Sequence, residues 1–450
     1  MAKRLSKGKT LVVGLGKTGL SCARFLAAKE VPAAVADSRA EPPGLDQLRL
    51  ELPDTALFLG PFDPAVFGAA QRLVVSPGVP LSEPLIREAA ARGVSILGDI
   101  ELFAREVNAP VAAVTGSNGK STVTSLLADM ASVAGMSVKA GGNLGEPALE
   151  LLDPETRLYL LELSSFQLET TTSLAPHTAV VLNLSADHLD RYDGIQAYAG
   201  TKARIYRNAK NRVFNLDDPQ VMAMQSGRGQ DYFFTLSEPR DGVFGMRMEG
   251  GVSWLARGSD LLLETSRLRI PGRHNAANAL AALAMGTSLE IPMSAMLESL
   301  CRFTGLPHRS QYVAEMGGVR WYNDSKGTNP GACAAALQGL RPEGEEARIV
   351  LIAGGDGKGA DFSPLAPAVS AVARAVVLIG RDAPVIASAL EGTVPLLQAG
   401  DMDEAVRLAA GQARSGDAVL LSPACASFDM YRNFAERGDA FMASVGRLVE

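Results

Sequence analysis

The sequence predicts an α/β protein of three domains built on largely parallel sheets. Three observations carry this expectation. At 450 residues the chain exceeds what one hydrophobic core supports, so two or three domains follow. Apolar runs such as RLYLLELSS (157–165) and HTAVVLNLS (177–185) are continuous rather than alternating, as in strands buried on both faces. Such runs repeatedly end in glycine or polar residues, with helix-patterned stretches between several of them, which is the pattern of βαβ units.

The first domain is expected over residues 1–98. TLVVGLG (10–16) reads as a buried strand, LSCARFLAAK as a helix, and VPAAVADS as a second strand closing at Asp37. LVVSPG and VSILGD supply further strands. The loop GLGKTG satisfies G-x-G-x-x-G between a strand and a helix, and Asp37 stands at the spacing of a ribose-binding acid, so a Rossmann-like nucleotide domain is predicted. Backbone N–H groups at the helix start would receive a diphosphate. The second domain, 99–305, opens with the strand VAAV, and 212–271 is richer in short β-like pieces expected to form an antiparallel excursion. The third, 306–450, carries VRWYNDS, ARIVLIAGG, RAVVLIG and DAVLLSPA as strands and is again read as Rossmann-like.

Composition narrows the function. A net charge of −6 gives no electrostatic reason to bind nucleic acid, and no apolar run approaches the length of a membrane span. The basic start followed by LVVGLG is too short and glycine-broken for a signal peptide. Cys22, Cys301, Cys333 and Cys425 lack CxxC spacing and read as free thiols of a reducing compartment. A cytoplasmic monomer acting on small molecules, with neither nucleic acid nor membrane as partner, is the expectation.

The chemistry concentrates after strands. TGSNGKST (115–122) lies between a strand and a helix, where successive N–H groups form an anion nest. Lys120 would reach the β- and γ-phosphates of a nucleotide and Ser121 a Mg²⁺ ion, giving a P-loop-type central ATPase domain. The general pattern requires glycine five places before Gly119, but Val114 stands there, and Gly116 is the nearest glycine upstream. A plain glycine turn is the competing reading, but it needs neither the lysine nor the hydroxyls that follow it. Glu162 ends an apolar strand, where an acid needs a charge partner or an ion. Asp187, His188 and Asp190 follow another strand, and His188, one of only four histidines, is a candidate metal ligand. In the last domain Arg309, Asp324, Lys326, Thr328, Asn329, Lys358, Ser427 and Phe434 all follow strands or lie in the loops beside them.

Taken together, TGSNGKST, GGNLG, LELSSFQLE, NLSADHLDRY, LPHR, NDSKGTN and LSPACASFD resemble the Mur ligases of bacterial cell-wall synthesis, in order and across nearly the whole chain. GGDGKGADFSPL and SPACASFDMYRNFAERG resemble the branch that adds D-glutamate to UDP-N-acetylmuramoyl-L-alanine. The short P-loop is the family's own, which accounts for the missing glycine. The resemblance implies an ATP-dependent amide-bond-forming ligase with two Mg²⁺ ions. Gly16, Lys17, Thr18, Asp37, Ser38, Arg39, Gly78 and Asn143 would hold the UDP-sugar. Gly116, Ser117, Asn118, Gly119, Lys120, Ser121, Thr122, Asn275, Asn278, Arg309 and Asp324 would bind ATP. Ser121, Glu162, His188 and Lys202 would ligate metal, Lys202 as a carbamylated lysine, and Lys120, Glu162, His188 and Lys202 would carry catalysis. Lys326, Thr328, Lys358, Ser427 and Phe434 would receive D-glutamate. Ser310-Gln311 and Gly327 depart from the usual family residues, and none of these is a proposed ligand.

Other readings explain less. A nicotinamide-dependent oxidoreductase accounts for GLGKTG and Asp37 but not for Lys120, Glu162, His188 and NDSK together. Folylpolyglutamate synthetases lack a domain like GLGKTG's, and a non-enzymatic nucleotide sensor is told apart by whether phosphate release from ATP depends on both substrates.

Overall fold

The computed structural model describes residues 9–448 apart from 144, 186, 188–190, 228, 271, 343 and 345. Three α/β units follow one another, each with its own sheet.

In the first, β1 (Thr10–Val13), β2 (Ala33–Asp37), β3 (Leu57–Leu59), β4 (Arg72–Val75) and β5 (Ser95–Leu97) form a parallel sheet ordered β3-β2-β1-β4-β5. The order reverses between β1 and β4, so a crevice opens beyond their carboxyl ends. The glycines of GLGKTG divide the work there. Gly14 has φ +94°, which favours glycine. A Cβ on Gly19 would overlap the Gly14 carbonyl, so only glycine lets the helix Lys17–Ala28 start this close to β1. A Cβ on Gly16 would meet nothing within 4 Å, which leaves its backbone open to a ligand.

The second unit holds β6 (Val111–Thr115), β7 (Val138–Gly142), β8 (Leu158–Glu162), β9 (Thr178–Val181), β10 (Asn211–Asn215), β11 (Gln230–Phe234), β12 (Phe244–Glu249), β13 (Val252–Arg257) and β14 (Asp260–Glu264). They form one sheet ordered β14-β13-β12-β11-β10-β9-β6-β8-β7. The antiparallel excursion expected from residue 212 onward begins later. β10 and β11 continue the parallel sheet, because the short helix Pro219–Met222, capped by Asp218, carries the chain across between them, and only β12 to β14 run antiparallel. The helix Arg273–Ser288 is buried almost all round, with Ala279 to Ala284 inaccessible, and it packs against the helix Lys120–Val133. Its small side chains are what let two helices and a sheet approach this closely.

The third unit contains β15 (Gln311–Met316), β16 (Val319–Asn323), β17 (Ile349–Gly354), β18 (Ala373–Ile379), β19 (Leu396–Gln398) and β20 (Ala418–Leu421), ordered β15-β16-β20-β17-β18-β19. All pairs are parallel except β15 with β16. β3 and β19 are edge strands of three residues each, too short to show a period in the sequence. Among the described residues no helix is long and apolar enough to cross a membrane.

Candidate active site

The phosphate-type loop leaves β6, the strand flanked by β8 and β9 in the central sheet. Gly116 (φ +150°) and Gly119 (φ +83°) take conformations open to glycine, and a Cβ on Gly119 would collide with the Asn278 side chain. Asn183, just after β9, ties the loop down. Its carbonyl accepts from Ser117 N–H, its Oδ1 accepts from Asn118 N–H at 2.9 Å, and its Nδ2 donates to the Asn118 carbonyl.

Around the loop stand four basic side chains, with Glu162 and Asp187 as acids close to them. Lys120 Nζ donates to the carbonyls of Gly116 (2.8 Å) and Ser117 (2.9 Å). Lys202, at the end of the helix Ile195–Ala203, donates to the Gly116 carbonyl (3.0 Å) and Thr115 Oγ1 (3.3 Å). From the third unit, Arg309 Nη2 and Lys326 Nζ both donate to Ser121 Oγ, at 2.8 and 3.3 Å. Glu162 lies at the end of β8, opposite Val114 in the ladder. Its Oε1 accepts from Asn143 Nδ2 at 2.7 Å, while its Oε2 is buried with no hydrogen-bond partner.

Charge states follow from this crowding. Burial alone would raise the Glu162 carboxyl, but Lys120, Ser121, Asn143 and Arg309 together hold it below the usual carboxylate range. Burial lowers Lys120 despite the Glu162 charge. Lys202 is pushed well below the ordinary lysine range, first by burial and then by Lys120. Burial and Arg309 bring Lys326 to about 8. Asp324, which accepts from Ser422 Oγ (2.7 Å) and Ser310 N–H (3.0 Å), is raised by burial to about 6.

Two cavities flank the loop. One, of about 320 Å³, lies between the second and third units. It brings together Asn118, Gly119, Thr122, Asn275, Asn278, Arg309, Asp324 and Lys326 with the apolar Leu182, Phe234, Ala277 and Ala335. The other, of about 590 Å³, opens at the carboxyl ends of β1, β2 and β4, against the loop after β7. Gly16, Lys17, Thr18, Asp37, Ser38, Arg39, Gly78 and Asn143 all line it. Asp37 is already engaged: it accepts from Leu15 N–H (2.7 Å) and from the Arg39 backbone and guanidinium. Burial opposes its charge, but these bonds outweigh it and keep the carboxyl below its usual range. A further cavity of about 600 Å³, lined by Arg24, Phe25, Leu149 and Tyr159, contains none of the predicted site residues.

The remaining predicted residues are more scattered. Lys326 Nζ stands 5.0 Å from the centre of the Phe434 ring. The Asp356–Ala426 bridge sets the loop of Lys358, which is exposed, beside that of Ser427, which is buried. Thr328, Lys358, Ser427 and Phe434 line neither flanking cavity. His188 lies outside the described residues. Among the described residues no three His, Cys, Asp or Glu side chains group as a metal site. The departure at Gly327 has a local reason: a Cβ there would come within 2.5 Å of Asp324 Oδ2.

Sequence reasoning missed several residues. His274 lines the smaller cavity, and burial lowers it to about 4, so it is neutral. Tyr198 reaches Ser117 Oγ at 3.4 Å. Arg437 is buried and donates to Ser325 Oγ and to the carbonyls of Ser325, Cys425 and Ala426, pinning two of the third unit's loops. Only Asn183 carried a signal, as a polar residue ending an apolar strand.

A phosphate loop whose second wall is built by a separate C-terminal α/β unit, beside a nucleotide-type first unit, defines a three-domain nucleotide-dependent enzyme. Residues 8–98 match the Mur ligase MurD-like N-terminal domain, 114–286 the Mur ligase middle domain, and 308–425 the Mur ligase glutamate ligase domain. The chain belongs to the Mur ligase family. It is 54% identical to the UDP-N-acetylmuramoylalanine--D-glutamate ligase of Nitrosococcus oceani, over 98% of this chain and 97% of that protein. It is 51% identical to the enzyme of the same name from Marinobacter nauticus, over 99% of each. Among solved structures, the pseudomurein peptide ligase type C of Methanothermus fervidus and the UDP-N-acetylmuramate-alanine ligase MurC of Thermotoga maritima share the fold. Each has a TM-score of 0.62 at 19% identity, covering 98% of this chain and 100% of theirs.

Proposed function

We propose that this chain is the ATP-dependent ligase that joins D-glutamate to UDP-N-acetylmuramoyl-L-alanine in peptidoglycan precursor synthesis, working as a cytoplasmic monomer. The observation that carries the reading is the shared wall between the larger cavity and the phosphate loop. Asn143 lines the cavity and donates to Glu162, and Glu162 faces Lys120. A nucleotide-sugar seated over Gly16, Lys17, Thr18, Asp37, Ser38, Arg39 and Gly78 would therefore extend its alanyl end toward the γ-phosphate of ATP.

A carboxylate does not acylate an amine at neutral pH, because its leaving group is too poor. The alanyl carboxylate oxygen attacks the γ-phosphorus, ADP leaves, and an acyl phosphate forms. The D-glutamate amine then attacks the acyl carbon and phosphate departs. In this reading Lys120 and the loop amides from Gly116 to Thr122 exchange their internal partners for phosphate oxygens. Asn275, Asn278, Arg309 and Asp324 seat the adenine nucleotide, and Lys326, Thr328, Lys358, Ser427 and Phe434 receive D-glutamate.

The donor set suits two Mg²⁺ ions. Glu162 Oε2 is a buried carboxylate oxygen without a partner, and Ser121 Oγ sits beside it. Ser121 and Glu162 would hold one ion, His188 and Lys202 the other, and the ions would offset charge on the transferring phosphoryl group. Burial and the nearby Lys120 push the Lys202 amine well below the ordinary lysine range, which favours the uncharged form whose lone pair attacks CO2 and sheds a proton, leaving a carbamate oxygen ligand. A carbamate carbon signal after incubation with ¹³C-bicarbonate, absent in Lys202→Ala, is expected, and its absence from the unaltered protein would remove that ligand.

Product analysis tests the function itself. The nucleotide-sugar should gain one glutamyl residue with D-glutamate and ATP present. A product formed equally from L-glutamate would contradict the assignment.

A further inference from the structure

A contact from the segment after β9 ties the second unit to the wall of the nucleotide-sugar cavity. Arg191, from the segment after β9, donates from Nη1 to the carbonyl of Pro77 at 3.0 Å. Pro77 lies in the turn Ser76–Val79 that walls the larger cavity, so this bond crosses from the second unit to the first. The same guanidinium lies 3.9 Å from the centre of the Phe166 ring and 3.7 Å from Glu169. Phe166 and Glu169 flank Gln167 on the helix Ser165–Glu169, and Gln167 also lines the cavity.

From Phe166 the contacts run on without a gap. Phe166 stacks on Tyr192 (centroids 6.0 Å, planes 10° apart), and Tyr192 packs on Tyr198 at 5.4 Å. The Tyr198 ring lies 4.6 Å from Lys202 Nζ, and its hydroxyl is 3.4 Å from Ser117 Oγ in the phosphate loop. Ser117 Oγ in turn accepts from Ser185 N–H at 3.0 Å. A guanidinium, three rings and the Lys202 amine thus connect the cavity wall to the loop.

We propose that Arg191 is a positioning residue that couples occupancy of the nucleotide-sugar cavity to the geometry of the phosphate loop and Lys202. This rests on the assignment of the larger cavity to the nucleotide-sugar. A ligand pressing on the Ser76–Val79 turn moves the carbonyl that anchors Arg191. A planar guanidinium held at once by a carbonyl, a ring and a carboxylate transmits that displacement to Phe166 and along the stack. Lysine at this position would keep the charge but lose the flat face.

Calorimetry on the full chain reads the coupling. Binding of a non-hydrolysable ATP analogue is measured with and without UDP-N-acetylmuramoyl-L-alanine, and the titration is repeated in reverse. In the unaltered protein each ligand should tighten the other by about fivefold or more, by the same factor in both directions. In Arg191→Met that factor should fall below about twofold with each ligand still binding alone, and Arg191→Lys should lie between. Phe166→Leu cuts the same chain at its next link and should give the same loss, which keeps the test decisive if Arg191→Met folds poorly. A merely structural role would lower the melting temperature and leave the factor intact. An unchanged factor in both variants, or no coupling in the unaltered protein, overturns the proposal. Failure of the nucleotide-sugar to bind at all would instead overturn the cavity assignment.

Discussion

At the scale of single residues, the site is a contest between burial and charge. Lys120, Lys202, Arg309 and Lys326 crowd round Glu162, and burial first of all holds each of these basic groups less firmly charged than in water. Lys326 titrates at about 8 because burial and Arg309 disfavour its charge. If its charged form holds a carboxylate of D-glutamate, the KM for D-glutamate should rise as pH climbs through about 8. Lys326→Arg should carry that limb beyond pH 9, and a KM independent of pH from 7 to 9 would remove Lys326 from the binding site. In the proposed reaction Lys120 acts on phosphate alone. Lys120→Ala should reduce ligation by a factor on the order of a thousand. Calorimetry should find the nucleotide-sugar bound within about threefold of the unaltered affinity, and loss of that binding would undo the division of labour.

At the scale of elements, the short helix Asp99–Ala104 is the buried seam between the first two units. Asp99 accepts from Gln167 Nε2 at 2.8 Å, and burial raises its carboxyl to about 6. Its unfolded value is about 3.9. Between those limits the native state binds more protons than the unfolded chain, so this group's contribution is complete below about pH 4 and is lost as pH rises to about 6. The full swing is on the order of 2–3 kcal/mol. Denaturant midpoints measured from pH 4 to 7 should show a falling term that Asp99→Asn removes, and identical slopes in both proteins would contradict it. In the sequence Gln167 is one residue of LELSSFQLE with no signal of its own. Its bond to Asp99 and its place in the cavity wall depend on two units meeting, which no local pattern encodes. The parallel strands, by contrast, were legible because burial on both faces demands continuous apolar runs. Likewise Lys120, Glu162 and Asp37 were legible because each ends or follows such a run. Arg191, Tyr198 and His274 were not, since each gains its meaning from a partner tens of residues away.

At the scale of the whole molecule, the third unit sits with Arg309 and Lys326 on Ser121 and with Asn329 Nδ2 at 3.3 Å from Asn118 Oδ1. The chain between the second and third units passes through His308 (φ +61°) and Ser310 (φ +46°), conformations rare for residues with a side chain. Strain at this junction, beside a few polar contacts, is what a hinge between bodies requires. Residues 306–450 should therefore move as a body between ligand-free and fully ligated states. Solution scattering should show a smaller radius of gyration with both substrates and an ATP analogue, and superimposable curves would argue against the movement.

In the proposed reaction the phosphate loop activates the alanyl carboxylate of one particular acceptor for one particular amine. Phosphate release from ATP, followed with each substrate omitted in turn, tests it most directly. Release is expected only when UDP-N-acetylmuramoyl-L-alanine and D-glutamate are both present, and release without the nucleotide-sugar, or equally with L-glutamate, would rule that reaction out.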